Sequence, residues 1–443
     1  MDLSRRQFLL ASGAGVLAAP GLAGLVAGES GVETGSRDES VWIAGAPPMP
    51  AMPRYEGDRK VDLAIVGGGY TGLSCAYYAK LFRPDWTVVV LESHKLASSA
   101  SSRNSGAVYA KHVGISDAEM PERGLNRLRS FIATQEIDCD FAPASTLMVL
   151  TSKGAAESAP SELEAGAKFV SAGELRERIG SAYYAGAVDT PGYFRVQPMK
   201  LAVGHARAAL RVGAELFEGS PALSVERGKP ARITTPRGEL EADNVLIATN
   251  AHTPRLGFFR SAIFPVHQYS FATRKLTSEE LGAFGLDRWM LRFERRVLPV
   301  TFSLTPGGQF FMRMVLGYAS HDSCEWKDIE GAQSVARRLF ERRYPKIADI
   351  GLHDGWHGVT GHTALFSQVA GAVGDGNIHV SAAYNGFGIM PAHNNGYLTA
   401  CKLTGRTEDD TRFLTGATGH LPLPGEFYRS LMFKPIMRVM RPV

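Results

Sequence analysis

The 443-residue chain is short of cysteine, of net charge and of internal repetition, and each shortage closes off a class of protein. Its four cysteines, Cys75, Cys139, Cys324 and Cys401, lie far apart and form no C-x-x-C pair. That spacing argues against a disulfide framework or a cysteine-bound zinc, and leaves buried free thiols or one bridge in an oxidising compartment. Forty-eight basic side chains stand against 44 acidic ones, a net charge of +4. The balance is too even for a nucleic-acid-binding surface. No segment recurs at a fixed period, so repeat architectures drop out. What is left is an ordinary globular composition, 44% apolar and 21% charged, long enough for two domains or one composite unit.

The main apolar run opens the chain. Ser4-Arg5-Arg6-Gln7-Phe8-Leu9-Leu10 precedes small and apolar residues as far as about Ala27. A charged start, an apolar middle and small residues after it are the parts of a signal peptide. The paired arginines resemble the twin-arginine signal of bacteria. The run is long enough to span a bilayer, but Gly13, Gly15, Pro20, Gly21 and Gly24 make it a poor helix. The resemblance implies export to the periplasm by the twin-arginine translocase, after folding around a cofactor, or a membrane tether if residues 1–27 stay attached. Residues 28–57, with AGAPPMPAMP, read as a Pro/Gly-rich linker. At the other end the tail 413–443 contains FYRSLMFKPIMRVMRPV, basic and apolar together; it is expected to pack on its own domain, with contact to a membrane surface as the alternative, and no strong membrane signal is read in the mature chain.

Between these ends, VDLAIVGGGYTGLSCAYYAKLFRPDWTVVVLES reads as strand, glycine turn, helix, strand. Gly67, Gly69 and Gly72 fit G-x-G-x-x-G, with Tyr70 and Thr71 between the last two. The first glycine permits the turn, the second lets backbone approach a pyrophosphate, and the third lets helix pack on strand. The helix N-terminus offers free N–H groups to phosphates. Glu92, followed by Ser93, ends the second strand 20 residues after Gly72. There its carboxylate can accept from ribose hydroxyls and disfavours a 2′-phosphate.

Strand, turn, helix and acid in register establish a dinucleotide site but do not separate NAD from FAD. The next stretch does. Ala100-Ser101-Ser102-Arg103-Asn104-Ser105-Gly106 resembles the G-x-S-x-R-N-x-G segment of the D-amino-acid oxidase superfamily of FAD-dependent oxidoreductases, without its first glycine. The bacterial amine-oxidase branch, which includes γ-glutamylputrescine and pipecolate oxidases, has this segment. Two later stretches are similar to the family as well. One is AELFEGSPALSVERG through NVLIATNAHTPRL, with Ala222 at the adenine-contact position and Thr249 and Asn250 in the turn. The other is Asn385-Gly386-Phe387-Gly388-Ile389, similar to the loop beside the flavin ring.

The resemblance implies an α/β (α+β) fold, with a Rossmann-like FAD-binding domain interleaved with a mixed-sheet substrate domain. The first would take 58–115, 195–262 and 346–412, the second 116–194 and 263–345. It implies FAD bound through Gly67, Gly69, Tyr70, Thr71, Gly72, Glu92, Ser93, Ser102, Arg103, Asn104, Ser105, Ala222, Thr249, Asn250 and Asn385 to Ile389. It also implies oxidation of a primary or secondary amine or amino acid by hydride transfer to flavin, with the imine then hydrolysed. Met390 replaces the lysine that sarcosine-oxidising relatives carry after the glycine loop. Val315 replaces one linked to oxygen activation, so a quinone or protein acceptor stays open beside oxygen. Gly358 stands where some relatives attach flavin through cysteine, so non-covalent FAD is expected.

Catalytic candidates are His357, Tyr318 and Arg313, the last to pair an acidic group. His353, His357 and His362 in HDGWHGVTGH could suggest a metal, but the glycines break any helix and no metal is expected. On a strand, His353, Gly355 and His357 share a face, which would turn His357 toward substrate. A 2-hydroxy-acid or alcohol dehydrogenase on the same fold, and an electron-transfer flavoprotein without its own substrate, remain alternatives.

Overall fold

The structure is a computed structural model. It describes residues 40–109, 119–282, 284–285, 291–296, 299–318, 329–416 and 421–439. The N-terminal motif around Arg5 and Arg6, and Cys324, lie outside the described residues. Two mixed sheets divide the strands between them.

The chain enters the first sheet with β1 (Arg59–Val66) and β2 (Val88–Leu91). It leaves for β3 (Ala107–Tyr109), β4 (Ala142–Leu150), β5 (Lys168–Ser171) and β6 (Gly186–Arg195) of the second sheet. It returns for β7 (Glu215–Phe217), β8 (Ser224–Glu226), β9 (Ala231–Thr235) and β10 (Gly238–Ile247). The second sheet then takes β11 (Phe264–Ala272), β12 (Leu291–Glu294), β13 (Val300–Leu304), β14 (Phe310–Tyr318) and β15 (Asp354–His362). The first closes with β16 (Val369–Val373), β17 (Ile378–Ala382) and β18 (Thr415–Gly416). The longer helices are α1 (Tyr70–Phe82), α2 (Met120–Thr134), α3 (Pro198–Arg211), α4 (Ile329–Arg343), α5 (Ile389–Thr404) and α6 (Glu426–Val439).

In the first sheet β17, β10, β1 and β2 run parallel, and β7 continues the edge. Val61 and Leu63 to Val66 are all buried, as a parallel strand covered on both faces requires. α1, α3 and α5 cover one face and the β8–β10 meander covers the other. α1 and α5 approach closely at Gly396, where a Cβ would stand 2.6 Å from the Thr71 carbonyl oxygen.

In the second sheet β15 pairs β11 in an unbroken antiparallel register from Phe264↔His362 to Ala272↔Asp354. β11 also pairs β14, with a shift between His267 and Gln268. One face of this sheet packs its Tyr269, Phe271, Phe302, Met312 and Met314 against α4.

Two expectations need correcting. Residues 354–362 join the second sheet rather than the nucleotide half, because their pairing partner is a strand 90 residues away. Residues 40–57 are not a free linker. Trp42 and Tyr55 are each only 2% exposed, and the Trp42 indole N–H donates to the Asn104 carbonyl at 2.8 Å. Two large aromatic side chains bury enough apolar area to order a proline-rich segment.

Candidate active site

The turn after β1 sets the groove. Gly67 has φ +113°, and a Cβ there would lie 2.7 Å from the Ala248 carbonyl oxygen. A Cβ on Gly72 would lie 2.0 Å from the Gly67 oxygen, so only glycine allows α1 to start so close to the strand. Gly69 is the N-cap of α1 and has no side chain of its own to cap it. Its missing Cβ leaves room up to the Ser101 hydroxyl, 2.9 Å from where it would stand. Glu92 lies beside this mouth and accepts from the Gly68 N–H at 2.9 Å, with Ser93 exposed next to it.

The 100–106 segment forms the groove's other wall. The Ser101 hydroxyl accepts from the Tyr70 N–H at 3.2 Å. Asn104 holds the turn together: its Nδ2 donates to the Ala100 and Ser101 carbonyls, and its Oδ1 accepts from the Gly106 N–H. Arg103 bridges the two sheets, donating to the Ser98 and His357 carbonyls at 2.6 Å each. The Ser102 hydroxyl is buried and has no hydrogen-bond partner among the described residues. Ser105 lies at the entrance to a recess lined also by Gly106, Tyr193, Arg195, Thr146 and Ser303.

Other expected contacts sit around the same groove. Ala222 is half-buried in a loop tied to the end of β2 by the Ser220 N–H, which donates to the Glu92 carbonyl at 2.8 Å. The Thr249 hydroxyl pairs with that of Thr253 at 3.0 Å, and Asn250 Oδ1 accepts from the Ala383 N–H at 3.0 Å. Asn385 clamps its loop to the end of β15, its Oδ1 accepting from the Thr363 N–H at 3.0 Å. Gly386 has φ +86°, Phe387 meets Tyr109 edge-on at 4.8 Å, and Gly388 is the uncapped N-cap of α5, before the buried Ile389. Tyr70 turns its ring away, to donate to the Pro198 carbonyl at 2.8 Å, so it offers the groove its backbone alone. The Thr71 hydroxyl is taken by Tyr384 at 2.6 Å.

On the substrate side the alternation of β15 decides which residues face the groove. Gly358 does, since a Cβ there would meet the Arg103 Cβ at 3.6 Å. Trp356, Thr360 and His362 share its face. His357 is on the other one. Its ring lies 4.5 Å from that of His267 and 5.2 Å from Tyr269, and it hydrogen-bonds His267. Burial first, then His267, pushes its pKa down to about 3. His357, expected to point at substrate, turns its ring instead to the face opposite Gly358 and Arg103. The strand was read correctly, but its even-numbered residues face the groove.

Sequence reasoning weighed His362 only as a metal ligand and missed Gln268 and Thr360. Gln268 Nε2 donates to the Thr360 hydroxyl at 2.9 Å, which lies 2.9 Å from His362 Nε2. With Gln268 as donor, the Thr360 proton is free for His362 Nε2. Burial, then Arg313, pushes the His362 pKa down to about 4, so the ring is neutral at pH 7. Arg313 stands in register with Ser270 and Thr301. It is half-buried, its pKa is lowered by burial, and it makes no hydrogen bond or ion pair with any described residue. The side chain of Tyr318 lies outside the described residues. No group of three His, Cys, Asp or Glu among the described residues could hold a metal ion.

The parallel strands β17, β10, β1 and β2, the helix N-terminus behind Gly67, the acid at the end of the second strand and a polar sheet facing them define a dinucleotide-binding groove. The chain belongs to the DAO family of FAD dependent oxidoreductases, whose profile matches residues 62–401. The Probable oxidoreductase OrdL of Rhizobium meliloti is 28% identical over 399 residues, covering 84% of this chain and 89% of that protein. The Gamma-glutamylputrescine oxidoreductase of Escherichia coli is 27% identical over 391 residues, covering 82% and 88%. Among solved structures, glycine oxidase from Geobacillus kaustophilus superposes with a TM-score of 0.67 at 20% identity, covering 82% of this chain and 99% of that one. FAD fits the groove on the structure's own terms: the α1 N-terminus, the space at Gly69 and the Ser102 hydroxyl, unpaired among the described residues, suit a diphosphate, and Glu92 suits the ribose.

Proposed function

We propose that this oxidoreductase acts on the CH–NH bond of an amine that also bears a carboxylate, and that the resulting imine is hydrolysed in water. The observation that carries the reading is Arg313. It is a half-buried cation whose pKa burial lowers, with no acidic partner among the described residues, near Tyr109, whose ring meets Phe387. Leaving a desolvated charge unpaired is costly, so the site is built for an anion. Bound FAD supplies the hydride acceptor. Arg313 holds the substrate carboxylate by charge-assisted hydrogen bonds. His362, with Nε2 occupied by Thr360 and close enough to Arg313 to feel its charge, keeps its other ring nitrogen as an N–H donor. Because it is neutral it does not repel the amine, which must shed its own proton to react. Tyr109 meets Tyr193 edge-on at 4.9 Å and Phe387 edge-on at 4.8 Å, an aromatic wall for the apolar part of the substrate. The Escherichia coli relative, named for gamma-glutamylputrescine, supports a substrate with both a carboxylate and an amine.

Anaerobic absorption spectroscopy with amines, amino acids and hydroxy acids tests this. Bleaching of the flavin band by a carboxylate-bearing amine is the expected result. Bleaching by a 2-hydroxy acid alone would replace the reading with the dehydrogenase alternative, and no bleaching by any of them would favour an electron-transfer protein. Recovery in air then separates oxygen from a quinone or protein acceptor. Val315 packs in an apolar cluster with Phe264, Val266, Leu423 and Phe433, which supports an acceptor other than oxygen. Gly358 supports FAD held non-covalently, which acid precipitation would release into the supernatant. The Arg5-Arg6 motif supports export by the twin-arginine translocase, and retention of an Arg5→Lys, Arg6→Lys variant in the cytoplasm would test it.

A further inference from the structure

α6 has one face committed and one left over. On the inner face Arg429 donates to the Arg260 carbonyl at 2.9 Å and to the Ile263 carbonyl at 3.2 Å. Phe433 stacks on Phe264 with centroids 5.4 Å apart. On the outer face Phe427 is 74% exposed, Leu431 65%, Tyr428 55% and Met432 44%. With Leu421 these are five of the seven large apolar side chains exposed among the described residues. Helical spacing puts 427, 428, 431 and 432 on one stripe, and exposed Lys434 falls at its border. From the start of α6 to the end the sequence has four basic residues, Arg429, Lys434, Arg438 and Arg441, and one acidic, Glu426, which pairs with the buried Arg429; Lys434 is the exposed cation among the described side chains.

We propose that this stripe docks on an anionic lipid surface. An apolar stripe with aromatic rings and a bordering lysine is the pattern of a helix lying in the membrane interface, where the lysine stem reaches back to headgroups. The charge disfavours the simplest rival. A second copy related by a two-fold axis would set the same segment, its one acid Glu426 already paired with Arg429 and Lys434 exposed, against itself. No helix among the described residues is long and apolar enough to cross a membrane, so the contact lies on the surface. The inner face explains what docking achieves. Phe264, which Phe433 covers, has its ring 5.9 Å from that of His362. The docked helix therefore brings one end of the substrate gap to the lipid headgroups.

The test uses the full FAD-loaded chain, co-sedimented with vesicles of phosphatidylcholine alone or mixed with phosphatidylglycerol. Binding is expected on the mixed vesicles and is expected to weaken as salt is raised. The double variant Phe427→Asp, Leu431→Asp should bind about tenfold more weakly or less, and Lys434→Glu about fivefold more weakly on the anionic vesicles. An unchanged flavin spectrum and melting temperature show that these exposed positions leave the fold intact. Residues 1–39 are common to all the proteins, so the difference reports α6. Equal binding by parent and double variant, or none by either, overturns the proposal. So does a concentration-dependent dimer that the double variant abolishes while vesicles go unbound.

Discussion

The two halves of the molecule carry their chemistry by different means. Around the first sheet the backbone does the work: the Gly67 turn, the helix N-termini at Gly69 and Gly388, and the space glycine leaves at residue 72. Around the second sheet side chains do it, and they come from separate strands. Gln268 and Thr360 are 92 residues apart and meet only because β11 and β15 pair in register. A backbone site must be written as a contiguous stretch, because one turn and one helix end make it. A side-chain site can be scattered, and its residue types carry little meaning until the pairing is known.

The contrast breaks most visibly at Gly72. A Cβ at 2.0 Å from a backbone oxygen has no flexible side chain to push aside. Gly72→Val should cost about 3 kcal/mol or more, and the purified protein should show no flavin band. A flavin-loaded Gly72→Val protein would mean that the backbone account of the first half is wrong. In the second half the largest effect belongs to Arg313. Arg313→Met should lower kcat/KM for the carboxylate-bearing substrate about 100- to 1,000-fold, as losing one partner of a desolvated charge pair does. The substrate-free protein should melt no lower than the parent and could melt higher, since an unpaired desolvated cation is removed. A fall in melting temperature without a change in kcat/KM would make Arg313 structural.

The same contrast explains what was legible. The β1–α1–β2 unit, Glu92 and the glycine loop at 385–388 could be read directly, since periodicity and glycine spacing are local. Arg103 and Asn104 were read as cofactor contacts, and the structure occupies both in bonds that tie the groove together. His357 was misplaced for want of one bit of information. Alternation says that 353, 355 and 357 share a face, but which face meets the groove depends on the partner strand and on what lies across it. Trp42 and Tyr55 were hidden by the prolines between them, because composition marks a segment as irregular without saying what its large side chains reach.

Each half also buries a histidine pair, which gives the comparison a pH readout. In the first, His205 Nδ1 lies 2.9 Å from the Leu201 carbonyl oxygen, and its Nε2 lies 2.9 Å from His393 Nδ1. Burial pushes the His205 pKa down to about 4, and burial with His205 pushes His393 well below its ordinary value. In the second, His357 is down at about 3. The unfolded chain takes up protons near pH 6.5 while these rings stay neutral. Stability should therefore be full above pH 6.5 and fall as pH drops toward 4. His205→Gln should remove about 3 kcal/mol of that acid loss, read from urea midpoints at neutral and acid pH. A slope unchanged by both His205→Gln and His357→Gln would mean that neither pair resists protonation.

The smallest effect is the most specific. Thr360→Val keeps the shape of the side chain and removes the hydroxyl between Gln268 and His362. One hydrogen-bonded link should be worth about three- to tenfold in kcat/KM, with little change in melting temperature. The loss should also move the pH profile, because nothing then dictates which nitrogen of His362 carries the proton. A merely structural threonine would lower stability and leave the pH profile alone. If the profile moves in Thr360→Val and stays put in His357→Gln, the face of β15 that meets substrate is the even-numbered one, and the two histidines, five residues apart, have been told apart by function.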